Sequence, residues 1–190
     1  MSIVTRTGDE GSTGLMYNRR VSKCHPRVEA CGSVDELNTA IGLARAFNVH
    51  AFVGLPLLAV QKDLINLMGE LATEAEDLPR YTQDGFHRLA AGSTARLDRL
   101  AVEIEAMKVS TEGWATPGAT VGAATLENAR TTCRRAERRV CALQEAGSLH
   151  NPEILVFLNR LSDVLWLLGR WVETQEGVRP AGTGAGSQVV

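Results

Sequence analysis

Apolar residues recur every three to four positions along most of the chain, and the recurrence stops wherever glycine, proline or a polar cluster interrupts it. Over residues 28–47, Val34, Leu37, Ala40, Ile41 and Ala44 share one face while Asp35, Asn38 and Thr39 share another, which predicts an amphipathic helix with a compact polar side. Gly54 and Pro56 open a second helix, to about residue 76, with a broad apolar surface of Leu57, Leu58, Val60, Leu64, Ile65, Leu67, Met68 and Leu71. Asp77, Pro79 and Gly85 mark its end and a loop. A third helix covers 86–107 with Leu89, Leu97, Leu100, Ala101 and Ile104, Gly92 being the weak point of its first turns.

A loop over 110–120 leads to a fourth helix, 121–146, whose apolar face is Leu126, Ala129, Cys133, Ala136, Val140 and Leu143 and which stops at Gly147. Asn151 and Pro152 supply a cap and a first-turn proline for a last helix to residue 173, apolar nearly all round. Five helices, short connections and no credible strand imply an all-α five-helix bundle in one domain, residues 1–176. Residues 1–26, rich in Gly, Thr and Arg and without a period, read as an ordered loop shaped by what it binds. The Gly, Ala and Ser of 177–190 have little to bury and read as a flexible tail.

Composition leaves this picture intact. A chain of 190 residues, 44% hydrophobic and 22% charged, suits one soluble domain. A net charge of −2 and a pI near 6.1 argue against a general polyanion binder. No apolar run reaches the roughly 20 residues of a membrane span and no signal peptide is expected, so a cytoplasmic protein is the default. Cys24, Cys31, Cys133 and Cys141 lack metal-ligand spacing, as do the four histidines, and no protein-bound metal is expected.

Charge does add something locally. Arg130, Arg134, Arg135, Arg138 and Arg139 lie within one stretch of the fourth helix, and at about 100° per residue Arg130, Arg134 and Arg138 form a row with Glu137 beside it. Charge organised in this way is suited to a compact anion. On the last helix a narrow stripe of Asn159, Asp163, Trp166 and Arg170 needs partners, either as a polar network between helices or, for Asn159, as a donor and acceptor for a base edge or sugar hydroxyl. Asp35, on the polar face of the first helix, calls for an arginine on an adjacent helix. Thr5-Arg6-Thr7-Gly8-Asp9-Glu10-Gly11-Ser12-Thr13, followed by Lys23, offers close backbone approach, hydroxyls and a cation without Walker spacing, a phosphate cradle if it is more than a loop.

Thr5 to Gly11, Arg27-Val28-Glu29, Gly32-Ser33-Val34-Asp35-Glu36-Leu37-Asn38, Arg130 with Arg134-Arg135-Ala136-Glu137-Arg138-Arg139-Val140, and Leu158-Asn159-Arg160-Leu161-Ser162-Asp163 together resemble, in order, the PduO-type ATP:cob(I)alamin adenosyltransferases. The resemblance implies a homotrimer with ATP and corrinoid meeting between subunits. It implies that Thr5, Arg6, Thr7, Gly8, Thr13, Lys23, Arg134, Arg135, Arg138 and Asn159 contact ATP, with Glu137 orienting the arginines, Mg²⁺ held mainly by the triphosphate, and Arg130 paired with Asp35.

The implied reaction is attack of Co(I) on the 5′ carbon of ATP, which releases triphosphate and needs no protein base. The protein's tasks are positioning, stabilising the leaving group and making cobalt reducible by keeping a lower ligand off cob(II)alamin. For the last task the resemblance points to Trp114, ahead of Pro117-Gly118, where the family typically has phenylalanine. Arg134, Arg130, Asp35 and Trp114 are thus the expected catalytic set. Tyr17-Asn18 also departs from the glycine turn frequent in the family. An adenosylcobalamin-dependent mutase and a flavin reductase are the implied clients. A non-catalytic adenosylcobalamin carrier is the alternative, and a helical RNA binder is disfavoured by the acidic balance and by Glu137 and Asp163 near the row.

Overall fold

A computed structural model describes residues 4–110 and 116–178. Five long helices form the bundle: α1 Pro26–Phe47, α2 Ala51–Leu71, α4 Ala91–Ala106, α5 Val121–Glu145 and α6 Glu153–Gln175, with a short α3 at Leu78–Gln83. Their neighbours run α2, α1, α5, α6, α4. The expected apolar faces of α1, α5 and α6 are the buried ones, whereas on α2 the expected Leu58 and Ile65 are exposed. Ala30, Val34, Leu37, Ile41 and Ala44 of α1 and Leu126, Ala129, Cys133, Ala136 and Val140 of α5 are all closed to solvent, and the small residues among them let the two helices approach. Central α6 buries Ile154, Phe157, Leu158, Leu161, Val164, Leu165 and Leu168.

Helix ends follow local chemistry. Pro26 opens α1 beneath His25, whose Nδ1 accepts from the Arg27 amide at 3.2 Å. The Thr120 hydroxyl accepts from the Ala123 amide at 3.1 Å, and α5 ends where Gly147 takes φ 67° and the Ser148 amide returns to the Leu143 carbonyl at 2.8 Å. Asn151 does cap α6, accepting from the Glu153 amide at 3.2 Å, while its amide nitrogen donates to Glu70 and to the Leu89 carbonyl.

Three boundaries depart from the sequence expectation. α2 begins at Ala51, ahead of Pro56, because Val53 is fully buried and Phe52 packs on Trp171 with centroids 4.7 Å apart; that burial outweighs the hydrogen bond the proline forgoes. It ends at Leu71 instead of near residue 76, since the Leu71 carbonyl accepts from Arg27 Nη1 and the Ala72 carbonyl from the Met16 amide. α4 starts at Ala91 because Glu70 takes the Leu89 amide at 3.0 Å and holds residues 86–90 out of helix. α2 is long and apolar enough to cross a membrane, with a mean hydropathy of 1.3, yet Val53, Leu57, Val60, Leu64, Leu67 and Leu71 close onto the core.

The loop expected over 1–26 holds a small antiparallel hairpin, β1 Ser12–Gly14 with β2 Arg20–Ser22, in the register Ser12↔Ser22, Thr13↔Val21, Gly14↔Arg20. Strands this short leave no alternation to read.

Candidate functional site

The hairpin shapes the Gly/Thr-rich segment. Arg20 Nη2 donates to the Thr7 carbonyl at 2.7 Å and to the Ser12 hydroxyl, the Gly11 amide returns to the Gly8 carbonyl at 3.2 Å, and the Lys23 amide donates to the Gly11 carbonyl at 2.9 Å. The Lys23 ammonium consequently lies against Gly8: a Cβ there would sit 3.2 Å from Nζ and 3.3 Å from the Ser12 carbonyl. Thr5 and Thr7 share a hydroxyl contact of 3.0 Å, and Arg6 takes φ 57°. These contacts bring Thr5, Thr7, Gly8 and Lys23 close to the base of the hairpin, while Thr13 sits in β1 opposite Val21. Arg20 was not among the expected site residues; only its place in a strand opposite Gly14 reveals its part, and that strand has no sequence period.

The arginine run divides between two faces of α5. Arg135 pairs with Glu36 and Arg139 with Glu29 at 2.9 Å, both on antiparallel α1. On the other face Arg130 and Arg134 line a groove of about 510 Å³ between α4, α5 and α6, together with Asp98, Arg160, Asp163 and Trp166. Arg160 pairs there with Asp98, and Arg130 with Glu127 at 2.5 Å. Glu137 accepts from Asn159 Nδ2 at 3.1 Å, which ties it to the α6 amide. Among the described residues Arg134 and Arg138 make no ion pair or hydrogen bond to a carboxylate.

The expected Arg130–Asp35 pair does not form within the chain. Asp35 lines a separate groove of about 470 Å³ with Glu36, Thr39, Asn128, Thr132 and Arg135, on the side of α5 away from Arg130. A helix presents residues 128, 132 and 135 and residues 130 and 134 in opposed directions, so no rotamer of either side chain closes that gap. Arg135 is taken up by its pair with Glu36. The stripe on α6 is partly structural: Arg170 pairs with Glu173 at 2.6 Å, while Asp163 and Trp166 face the arginine groove. Trp114 and the segment 179–190 lie outside the described residues. No group of three or more His, Cys, Asp or Glu among the described residues is arranged for a metal ion.

The most buried cation among the described residues stands in the sequence only as part of a motif, not as an expected site residue. Arg27, 4% exposed, donates to Glu74 at 3.1 Å, to the Leu71 carbonyl at 3.2 Å and to the Ser148 carbonyl at 2.8 Å, tying the ends of α1, α2 and α5 together directly beneath the hairpin.

A family profile described as cobalamin adenosyltransferase matches residues 3–172. The corrinoid adenosyltransferase PduO of Salmonella typhimurium is 38% identical over 172 residues, 90% of this chain but 49% of that protein, so the chain spans about half the length of that relative. The corrinoid adenosyltransferase of Bacillus subtilis is 38% identical over 184 residues, covering 94% of this chain and 90% of that one. Among solved structures, a variant PduO-type ATP:corrinoid adenosyltransferase from Lactobacillus reuteri complexed with cobalamin and ATP superposes with a TM-score of 0.82 at 30% identity, covering 93% of each chain. A second variant of that enzyme, complexed with ATP, gives a TM-score of 0.81 at 29% identity over 92% of this chain and 96% of the other.

Proposed function

The chain belongs to the cobalamin adenosyltransferase family, and we propose that it transfers the 5′-deoxyadenosyl group of ATP to cob(I)alamin, giving adenosylcobalamin and triphosphate. The observation that carries this reading is the division of the arginine run. Arg130, Arg135 and Arg139 already make ion pairs, whereas Arg134 and Arg138 make none among the described residues. Those two stand about 6 Å apart along the helix axis, a spacing that suits successive phosphates. Their forks would hold the triphosphate and take up the charge it gains as the bond from C5′ to oxygen breaks. Cobalt supplies the electron pair of the new carbon–cobalt bond, the triphosphate leaves with the pair of the broken one, and no side chain moves a proton. Asn159, fixed by Glu137, would read the nucleoside; the Thr5–Gly8 loop with Thr13 and Lys23 would hold phosphate oxygens.

The loop and the arginine row are separate within one chain. The hairpin's hydrogen bonds to the bundle go to Ala72, Glu76, Asp77 and Asp84, and no residue of 4–25 lines the groove on Arg130 and Arg134. A homotrimer whose neighbouring subunits contribute loop and row would join them, and the same apposition would let Asp35 of one subunit meet Arg130 of the next. We place the enzyme in the cytoplasm, supplied by a reductase and serving an adenosylcobalamin-dependent mutase. Trp114, in the family's aromatic position, would be the residue that keeps a lower ligand off cob(II)alamin.

Anaerobic incubation with cob(I)alamin, ATP and Mg²⁺ tests the reading, and formation of adenosylcobalamin with an equivalent of triphosphate is expected. Cobalamin bound without either product would support a carrier instead and sink the enzymatic reading.

A further inference from the structure

The tip of the hairpin holds two consecutive non-glycine residues in the left-handed region, Tyr17 at φ 59° and Asn18 at φ 60°. Asparagine enters that region readily; a tyrosine does so only where its surroundings over-determine it. Here they do. The Tyr17 hydroxyl donates to Asp84 Oδ2 at 3.0 Å, the Arg80 guanidinium lies 4.3 Å above the Tyr17 ring, and Arg80 itself pairs with Asp84 at 3.6 Å. Next in the chain, Arg19 binds Glu76 at 2.9 Å and Asp77. Every one of these partners belongs to the segment 76–84, that is α3 with the turn before it and the residue that caps its end.

That segment is seated firmly. Tyr81 of α3 is 3% exposed and stacks on Phe86 with centroids 4.8 Å apart. Its hydroxyl occupies a notch at Gly69 of α2, where any Cβ would come within 2.3 Å. α3 therefore acts as a bracket bolted to the core, and the hairpin tip is fastened to it. At the other end of the same two-stranded ladder Lys23 rests against Gly8. A short isolated hairpin is marginal in water, so an anchored tip decides how ordered its base is.

We propose that Tyr17 is a positioning residue for ATP: held by α3, it fixes the hairpin so that Lys23 and the Thr5–Gly8 loop are preorganised for the triphosphate. What the loop binds rests on the function proposed above; the anchoring itself does not. The cost of ordering the loop is met on folding and not on binding, so removing the anchor raises the ATP requirement while leaving bound ATP to react normally.

The test compares Tyr17→Gly, which keeps the left-handed turn and loses both contacts, with Tyr17→Phe, which loses only the hydroxyl. Steady-state kinetics at saturating cob(I)alamin is paired with hydrogen exchange over residues 8–23. In Tyr17→Gly the ATP KM should rise by about fivefold or more with kcat and the cob(I)alamin KM little changed, and exchange should quicken; Tyr17→Phe should fall between it and the parent. An unchanged ATP KM in Tyr17→Gly overturns the proposal, as does a fall of kcat together with a lowered melting temperature of the bundle. Should the parent chain make no adenosylcobalamin, the functional reading fails by itself. The anchor is then decided by exchange alone, faster exchange supporting it and unchanged exchange overturning it.

Discussion

A guanidinium that already faces a carboxylate receives a phosphate poorly, because the new contact must displace an existing one. Arg134 has no such partner, whereas Arg139 meets Glu29 in a half-exposed pair of the kind worth about 0–1 kcal/mol. Replacing Arg134 by lysine removes the fork while keeping the charge. We expect Arg134→Lys to lower kcat/KM for ATP by about tenfold to a hundredfold, from the ~1.5–3 kcal/mol of a charged hydrogen bond, and Arg139→Lys to stay near the parent. Equal kinetics for the two variants would refute the division of the row. The cysteines give a second residue-scale expectation. Burial pushes the Cys31 thiol up to about 11, with Arg27 nearby pulling the other way, and burial also raises Cys133 strongly. A raised value keeps the thiol protonated, so near pH 8 a maleimide should label exposed Cys24 rapidly and leave Cys31 and Cys133 until the chain unfolds. Rapid labelling of either in the native state, followed by peptide mass analysis, would contradict the packing.

At the scale of elements, the long helices were legible because each repeats its apolar face over several turns; Leu126 to Leu143 on α5 emerged as read. What was not legible depends on partners distant in the chain. The end of α2 is set by Arg27 and Met16, the start of α4 by Glu70, and the hairpin by Arg20 reaching Thr7. The row of arginines was visible by spacing, but its division required knowing that α1 offers Glu29 and Glu36 to one face only. The contact of α3 with α2 supplies a test of such a hidden dependence. Gly69→Ala would push a methyl group to within 2.3 Å of the Tyr81 hydroxyl, and overpacking of this kind costs about 1–3 kcal/mol. Denaturant melts should show that loss. Because α3 brackets the hairpin, the same variant should raise the ATP KM although position 69 lies in a different element from the phosphate loop; a destabilised variant with the parent's ATP KM would disconnect bracket from loop.

For the whole molecule the question is whether one chain can hold a complete site. In the groove between α4, α5 and α6, Arg130 and Arg134 are presented without any residue of the loop, while Asp35 and the hairpin are offered elsewhere. Closed cyclic assembly joins unlike patches of identical chains, and each site then has one half from each of two neighbours. This predicts complementation. Lys23→Ala spoils the loop half and Arg134→Ala the row half, so each variant alone should assemble and transfer little. In trimers reassembled from equal amounts of both, a site forms between an intact loop on one subunit and an intact row on the next with a chance of about one in four, and activity should recover to about that fraction of the parent. Sites contained within single chains give no recovery at all, since every subunit carries one spoiled half. Sedimentation would establish that both variants and the mixture share one assembly state, which leaves the recovered activity to report solely on where the two halves come from.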